Sequence, residues 1–292
     1  MSAYNEMAND PAIAERVRAW LRTECPVIVL YGPSGVGKTT MCGDLFRPSP
    51  IRSALLPGPA RLIDADNSEM VIAEYTQDPR VCTRRVFDQG PDQAYPWMMS
   101  ELAAAATSND AAIVIEGFTS IYSSVLAGEK RKNPLASGMA LQRMYIPASG
   151  AVQVLGEEVK RLKQARMRRG AGGPIIVTLN TKECKDSEDQ TVVWYEPDWS
   201  GNSSERFMRI TDAFVLLERT RTFPSITSMH VIQTEHRRFC KLRSACAPQV
   251  EAERNLNLFG LLTLWAGTAA KRAEKVSAKI TEDAAKSAVT SN

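Results

Sequence analysis

The 292-residue sequence predicts an α/β fold with a mainly parallel sheet flanked by helices and antiparallel strands added at the C-terminal edge. Up to residue 183, short apolar segments of strand length alternate with longer segments of helical character. Such alternation is typical of βαβ units, whose crossovers make the strands parallel and cover both faces of the sheet. Beyond that point strand-like segments follow one another with short turns, which is typical of antiparallel pairing.

Helical segments are recognised by their start signals and their apolar content. Asn9 or Asp10, followed by Pro11, is typical of an N-cap and a first helical position, and predicts a helix to about Arg22. A second helix is predicted to start near Lys38. Three further helices are expected at 92–108, 151–169 and 251–265. The Ala/Lys/Glu-rich tail, 267–292, has few large apolar residues and is expected to be a solvated helix or disordered.

The strand segments divide into two groups. The parallel strands are predicted at 26–32, 60–67, 111–120 and 172–183, each apolar and most of them ending in polar residues. The antiparallel strands are predicted at 212–220, 225–235 and 237–245, after a polar hairpin or mobile loop near 187–207. We divide the chain into an N-terminal helix, a core domain and a C-terminal helix with its tail, at 1–24, 25–250 and 251–292.

Composition excludes several classes of protein. The formal net charge of +3 is small for this length and says little about partners, and six cysteines without a CxxC pair, with only two histidines, argue against zinc. We expect free, mostly buried thiols. The longest apolar stretch, 258–267, is about half of what a membrane span needs, and the N-terminus has no apolar signal segment. We therefore expect a cytoplasmic protein, in the host cytoplasm if the chain is phage-encoded, with no membrane partner.

The segment "GPSGVGKTT" follows the first predicted strand and matches the phosphate-binding P-loop, G-x-x-x-x-G-K-[ST]. Its glycines let successive backbone N–H groups point at phosphate oxygens, Lys38 reaches the β- and γ-phosphates, and the Thr39 hydroxyl binds Mg²⁺. ATP and Mg²⁺ are therefore the expected cofactors. The expected nucleotide-binding residues are Gly32, Pro33, Ser34, Gly35, Val36, Gly37, Lys38, Thr39 and Thr40.

Polar residues at the ends of the other strands are the candidates for chemistry. Hydrolysis needs an acid that holds the metal and a base that polarises the attacking water. Glu116, after "AAIVI", is the metal-associated candidate, and Asp66, at the end of "RLIDAD", is the preferred base. Asn180 ends the fourth strand, where its amide could contact the γ-phosphate. Each of these residues could instead cap a strand, a helix or a turn. For Asp64, capping is nearly as good an explanation as a role as the general base.

These strand ends together resemble the RecA-like ATPase core. The segments "IDAD", "IVIEGFTSI" and "IIVTLN" are similar to the recombinase strands that carry the catalytic base, the metal-associated acid and the γ-phosphate-sensing amide. More narrowly, residues 25–247 resemble compact phage-encoded RecA-core NTPases described as AAA-type nucleotide-binding proteins, some of which are single-strand annealing proteins. Two departures, Asp at 66 and Glu at 116, bear on the rate of hydrolysis more than on nucleotide binding.

One late segment, "FCKLRSA", extends the resemblance. Its Lys241 and Arg243 resemble the K-x-R pair that ring-forming RecA-like ATPases offer to the γ-phosphate of the neighbouring subunit. Alternation on a strand would place both residues on one face, as that role requires. The resemblance implies a homo-oligomer, ring or filament, whose site is completed by two subunits. Ordinary exposed strand residues remain the alternative.

The resemblance also implies single-stranded DNA as a partner, with a single-strand binding protein as an additional one. The loops after the third and fourth strands, about 124–145 and 183–206, would face a DNA channel. The first of these loops carries the basic residues Lys130, Arg131 and Lys132. A second basic run lies just before a Gly-rich loop and contains Lys160, Arg161, Lys163, Arg166, Arg168 and Arg169. Aromatic residues that could stack on bases are Trp194, Tyr195 and Trp199. Acidic residues in the second loop argue against a simple groove for DNA phosphates. The basic run at 160–169 could equally be an ordinary solvated helix face.

Three functions follow from these patterns. The first is an oligomeric RecA-like ATPase acting on single-stranded DNA in phage-type recombination or annealing. The second is an assembly or DNA-packaging ring ATPase, which shares the same motifs. The third is a small-molecule P-loop kinase, for which "RMRRGAGG" is the lid-like segment.

Overall fold

The computed structural model describes most of the chain up to residue 185 and shorter stretches beyond it. The described ranges are 10–66, 77–90, 93–135, 137–185, 192–198, 210–219, 227–230, 253–254, 257–267 and 269–270, with single residues 274 and 278. The predicted strand 237–245, with Lys241 and Arg243, and the aromatic residue Trp199 lie outside these residues, as does most of the tail.

The strands form one mixed sheet in the order β3-β2-β4-β5-β1-β7-β8-β9, with β6 paired to β5. Their bounds are β1 Val27–Gly32, β2 Ala60–Asp64, β3 Cys82–Val86, β4 Ala112–Glu116, β5 Ile175–Lys185, β6 Val192–Pro197, β7 Ala213–Arg219, β8 Thr227–His230 and β9 Glu253–Arg254. Six adjacent strands of this sheet are parallel to one another: β3, β2, β4, β5, β1 and β7. The predicted class, α/β with a mainly parallel sheet flanked by helices, is confirmed.

Helices cover both faces of the sheet. Their bounds are α1 Pro11–Glu24, α2 Lys38–Cys42, α3 Pro50–Leu55, α4 Ala94–Thr107, α5 Phe118–Lys132, α6 Met139–Arg143, α7 Tyr145–Arg168 and α8 258–267. The Asp10 carboxylate accepts hydrogen bonds from the backbone of Ala12 and Ile13, as the predicted N-cap requires. Among the described residues, no helix is long and apolar enough to span a membrane.

Side-chain alternation on the central strands builds two hydrophobic clusters, one on each face. Leu30 and Ile176 face α1, α8 and the turn after α2, whereas Val29 and Val177 face α4, α5 and α7. Because both faces are covered, these strands are apolar throughout, as parallel strands in α/β proteins are. Helix α8 contributes fully buried side chains, such as Trp265, to the first cluster. Packing on both faces therefore fixes the positions of the strand ends that carry the candidate site.

Several predicted elements differ in the structure. Segment 212–220 was expected to be antiparallel, but β7 is parallel to β1 because Asp212 fixes its start beside Val27: the Asp212 N–H donates to the Val27 carbonyl and the Asp212 carboxylate accepts from the Val27 N–H, both at 2.8 Å. Strand β8 is antiparallel to β7. Strand β3 was not predicted, since Thr83, Arg84 and Arg85 interrupt its apolar pattern.

The expected loop at 124–145 is also wrong, because most of it is helical. Helix α5 continues to Lys132, and α6 and α7 follow after short connections. The three basic residues of that segment, Lys130, Arg131 and Lys132, form the last turn of α5, where positive charge is favourable at a helix C-terminus. Strand β5 extends into the second predicted loop and pairs with β6 as an antiparallel hairpin.

Candidate functional site

The P-loop connects β1 to α2 and adopts the backbone conformation that its glycines predict. Gly35 and Gly37 have φ values of 76° and 102°, in the left-handed region that favours glycine. A Cβ at Gly32 would lie 2.6 Å from the carbonyl oxygen of Leu217 and 2.9 Å from a Val36 methyl group. The loop is therefore packed against β7 at its start and free of side chains where phosphate oxygens would approach.

Lys38 extends across the mouth of this loop. Its Nζ donates to the backbone carbonyls of Gly32 and Pro33, at 2.9 and 3.0 Å, and to Asn180 Oδ1 at 3.1 Å. Asn180 is the register partner of Gly32 on the neighbouring strand β5, so strand pairing places its amide beside the P-loop. Burial lowers the pKa of Lys38, and the carboxylates of Glu116 and Asp66 oppose that shift.

Glu116 lies at the end of β4 and is only 3% exposed. Its Oε2 accepts hydrogen bonds from Thr178 Oγ1 at 2.6 Å and from Thr39 Oγ1 at 3.3 Å. The pKa of Glu116 is raised to about 7, mainly by burial, with Asp64 and Asp66 contributing to the rise and the two hydroxyl donors opposing it. Its other oxygen, Oε1, is buried with no hydrogen-bond partner among the described residues.

Asp66 reaches the same place from the turn after β2. Its backbone N–H donates to Asp64 Oδ1 at 3.0 Å, and its carboxylate accepts a hydrogen bond from the Ser120 hydroxyl on α5. Gly117 makes this approach possible: it has a φ of 84°, and a Cβ there would lie 2.8 Å from the Asp66 nitrogen. The Asp66 side chain opens onto the cleft. Partial burial of its carboxyl group by the surrounding protein nevertheless raises its pKa, and the Ser120 hydrogen bond opposes that rise.

These groups line one cleft of about 440 Å³ at the carboxyl ends of the parallel strands. Its lining residues are Ser34, Gly35, Gly37, Lys38, Thr39, Thr40, Asp66, Glu116, Phe118, Thr119, Thr178, Leu179 and Asn180. Ligands of open α/β sheets bind at this end of the strands. The structure thus brings together the predicted P-loop, base, metal-associated acid and amide.

The residues present fit a magnesium ion. Mg²⁺ takes oxygen ligands and usually binds through one or two protein groups together with phosphate oxygens and water. The buried, unpartnered Oε1 of Glu116 and the Thr39 hydroxyl beside the same carboxylate form such a partial set. Within the described ranges no three His, Cys, Asp or Glu side chains come together as metal ligands, so a self-sufficient protein cage is not present there.

In comparisons with known proteins, the matches are to solved structures. No protein-family model and no curated protein sequence matches the chain. Among solved structures, the chain is similar to a KaiC-like protein from the hyperthermophilic archaeon Pyrococcus horikoshii OT3, with 13% identity and a TM-score of 0.38 over 75% of this chain and 83% of that one.

Part of the predicted basic surface is used inside the fold. Arg166 is fully buried and donates to the backbone carbonyls of Ala105 and Asp110. Lys163 pairs with Asp212 at 2.6 Å, with its side chain only 14% exposed. Both residues therefore hold α7 against the sheet and do not offer their charge to a nucleic acid. Lys160 and Arg161 form exposed pairs with the acid three residues earlier on the same helix.

The sequence analysis missed residues that hold the candidate side chains in place. Thr178 fixes Glu116, Ser120 contacts Asp66, and Gly117 admits the Asp66 turn. Thr119 Oγ1 is buried at the cleft without a hydrogen-bond partner among the described residues. A signal for Thr178 was present: it precedes Asn180 by two residues on one strand, so both side chains point to the same face.

Proposed function

We propose that this chain is a P-loop ATPase that binds ATP with Mg²⁺ and hydrolyses it. The observation that carries the proposal is the convergence of Lys38, Thr39, Glu116, Asp66 and Asn180 on one cleft behind a glycine-formed phosphate loop. A structural P-loop-like turn would need neither a buried carboxylate beside its threonine nor a second acid held over the same cleft.

Each residue has a role that its contacts support. The backbone amides of the P-loop and the Lys38 ammonium bind the phosphates, and Asn180 contacts the γ-phosphate from the next strand. Thr39 and Glu116 would hold Mg²⁺, which supplies electrostatic stabilisation to the phosphate oxygens. The Asp66 carboxylate, oriented by Ser120, accepts the proton of the attacking water as general base.

The amino end of the sheet argues against the kinase alternative. The lid-like segment "RMRRGAGG" precedes β5, which starts beside the start of β1, so it lies at the opposite end of the strands from the cleft. Arg166 is buried there, and Arg169 donates to the carbonyls of Ala106 and Ser108. These arginines cannot close over a bound nucleotide.

The finer proposal is that the ATPase acts on single-stranded DNA, in annealing or recombination, as a homo-oligomer with Lys241 and Arg243 supplied in trans. Its support is the sequence resemblance and the β5–β6 hairpin, which continues the strand that carries Asn180 and has Trp194 and Tyr195 in its sequence. A single-strand binding protein is the proposed further partner, and a phage-type origin places both in the host cytoplasm.

One experiment tests both levels. ATP turnover is measured with and without single-stranded DNA, together with the mass in solution with and without ATP. The proposal expects turnover, stimulation by single-stranded DNA and an oligomeric mass. Turnover without DNA binding, in a ring, would favour the assembly or packaging ATPase, and phosphate transfer to a small molecule by a monomer would restore the kinase.

Subunit mixing tests the trans residues. Arg243→Ala is expected to bind ATP and turn it over slowly, and Lys38→Ala to do neither. Mixed oligomers contain interfaces that combine an intact P-loop with an intact Arg243, so the mixture should recover activity that neither variant has alone. Unchanged turnover of Arg243→Ala would reject the trans role.

A further inference from the structure

Thr178 and Glu116 are neighbours across two central strands. The parallel register of β4 and β5 pairs Ile115 with Val177, so the next residue on each strand is Glu116 and Thr178. Both side chains are nearly inaccessible, at 3% for Glu116 and 4% for Thr178. The contact therefore belongs to the folded sheet and does not depend on a mobile loop.

The two hydroxyl contacts of Glu116 differ in strength. The Thr178 contact, at 2.6 Å, has the length of a charge-assisted O–H···O⁻ hydrogen bond, whereas the Thr39 contact, at 3.3 Å, is long for any hydroxyl donor. Thr39 also has its own expected place at the metal. Thr178 is consequently the group that holds the carboxylate whichever partner Thr39 takes.

Both donors act on the same oxygen, Oε2. The second oxygen, Oε1, is left buried in a residue that lines the cleft, with no hydrogen-bond partner among the described residues. A buried carboxylate oxygen without a partner is costly in free energy. This cost is removed if Oε1 binds a ligand in the cleft while Oε2 keeps its hydrogen bonds to the protein.

Glutamate needs such a clamp more than aspartate does. Its side chain has one more rotatable bond, so its carboxylate can sample more positions unless another group fixes it. Thr178 is well suited to this task, because a β-branched side chain has a restricted χ1 and its strand is paired on both sides, with β1 and with β4. The longer acid at 116 and the hydroxyl at 178 therefore form one unit.

We propose that Thr178 is a positioning residue that fixes the Glu116 carboxylate through Oε2 and leaves Oε1 to the metal–nucleotide complex. This inference rests on the proposed ATPase function. It assigns to β5 a second contribution to the cleft besides Asn180, and it explains how a glutamate occupies a position where the resemblance implies an aspartate.

The test compares Thr178→Val with Thr178→Ser, which keeps the hydroxyl. Three quantities are measured: kcat and KM for ATP, the ATP affinity in Mg²⁺ and in EDTA, and the free energy of unfolding. We expect Thr178→Val to lower kcat roughly 10- to 100-fold, the loss of one hydrogen bond to a charged group, and to raise KM by the factor by which ATP binding in Mg²⁺ weakens. ATP affinity in EDTA should be unaffected, whereas the gain in affinity on adding Mg²⁺ should shrink. Thr178→Ser should keep both properties.

Thr263→Val is the matched control, because Thr263 is also buried but its hydroxyl has no hydrogen-bond partner among the described residues. It should leave kcat and the Mg²⁺ gain unchanged. If Thr178→Val unfolds, Thr178→Ala replaces it, since alanine and serine differ only by the hydroxyl. A Thr178→Val protein with wild-type kcat and Mg²⁺ gain, or a serine variant as impaired as the valine one, would overturn the inference. Failure of the wild-type chain to bind ATP would instead overturn the proposed function itself.

Discussion

Lys38 and Asn180 are joined across the cleft: the Lys38 ammonium donates to Asn180 Oδ1 at 3.1 Å, from the P-loop to the adjacent strand. Strand register imposes this contact, because Asn180 is the partner of Gly32, the first glycine of the loop. A neutral amide in this place can contact both the lysine and a phosphate, which an acid could not do without repulsion.

Substitutions of Asn180 should separate the contact that its amide makes from the absence of negative charge at this position. Asn180→Ala removes the proposed phosphate contact and should lower kcat roughly tenfold, with ATP affinity changed only slightly. Asn180→Asp adds a negative charge beside Lys38 and the phosphates, and should weaken ATP binding more than the alanine variant does. Titration of ATP and steady-state kinetics measure the two. Equal ATP affinities for both variants would show that Asn180 does not face the phosphates.

Asp66 should act on turnover rather than on binding. Asp66→Asn removes the proposed general base and is expected to lower kcat by about 10²- to 10⁴-fold, whereas ATP affinity should stay within about threefold. Ser120→Ala, which only releases the carboxylate, should have a smaller effect of the same kind. Glu157→Gln, an exposed acid on α7, is the control and should be silent. Normal turnover of Asp66→Asn would assign the base to another residue.

Glu116 should make the stability of the nucleotide-free protein depend on pH. Its pKa in the fold, about 7, lies above the ordinary value of 4.5, so between these pH values the folded chain binds the proton more tightly than the unfolded chain. This contribution to stability is present below pH 4.5 and is lost as the pH rises to about 7, by at most about 1.4 kcal/mol per pH unit.

The Glu116→Gln variant should lack that slope. Denaturant unfolding from pH 5 to 8, without nucleotide or divalent cation, measures the difference between the two chains. The stability of wild type relative to Glu116→Gln should decrease with rising pH across this range and level off above pH 7. A constant or increasing difference would contradict the raised pKa of Glu116.

Gly117 should be intolerant of any side chain. Gly117→Ala places a Cβ 2.8 Å from the Asp66 nitrogen at a φ of 84°, so it should destabilise the protein by about 1–3 kcal/mol and lower kcat by moving Asp66. Gly150→Ala is the matched control, since its Cβ would meet nothing within 4 Å on helix α7, and it should be neutral or slightly stabilising. Thermal unfolding compares them.

The sequence was sufficient for those parts of the site that one strand and its following turn define. The P-loop could be predicted because its glycines, Lys38 and Thr39 are consecutive in the chain. The common location of Asp66, Glu116 and Asn180 could be predicted because the carboxyl ends of parallel strands share one edge of the sheet, whereas their roles stay predictions. The Thr178–Glu116 hydrogen bond could not, since it depends on which strands are adjacent and in what register.

The basic run on α7 is a case in which the sequence alone was misleading. Arg166 and Lys163 were candidates for nucleic-acid contact, but the fold pairs them with buried carbonyls and with Asp212. Charge in a sequence does not distinguish a residue that meets solvent from one that ties a helix to the sheet. The direction of β7 was likewise decided by Asp212, whose two hydrogen bonds to Val27 align it with β1.

Phosphate release from ATP in the presence of Mg²⁺, by the wild-type, Lys38→Ala and Arg16→Ala chains, tests the central claim most directly. Arg16 is exposed on helix α1 and serves as a control for the loss of one positive charge. We predict that wild type and Arg16→Ala release phosphate at the same rate, in proportion to enzyme concentration, and that Lys38→Ala does not exceed the background. Release by Lys38→Ala at the wild-type rate, or none by wild type, would contradict an ATPase site in this cleft.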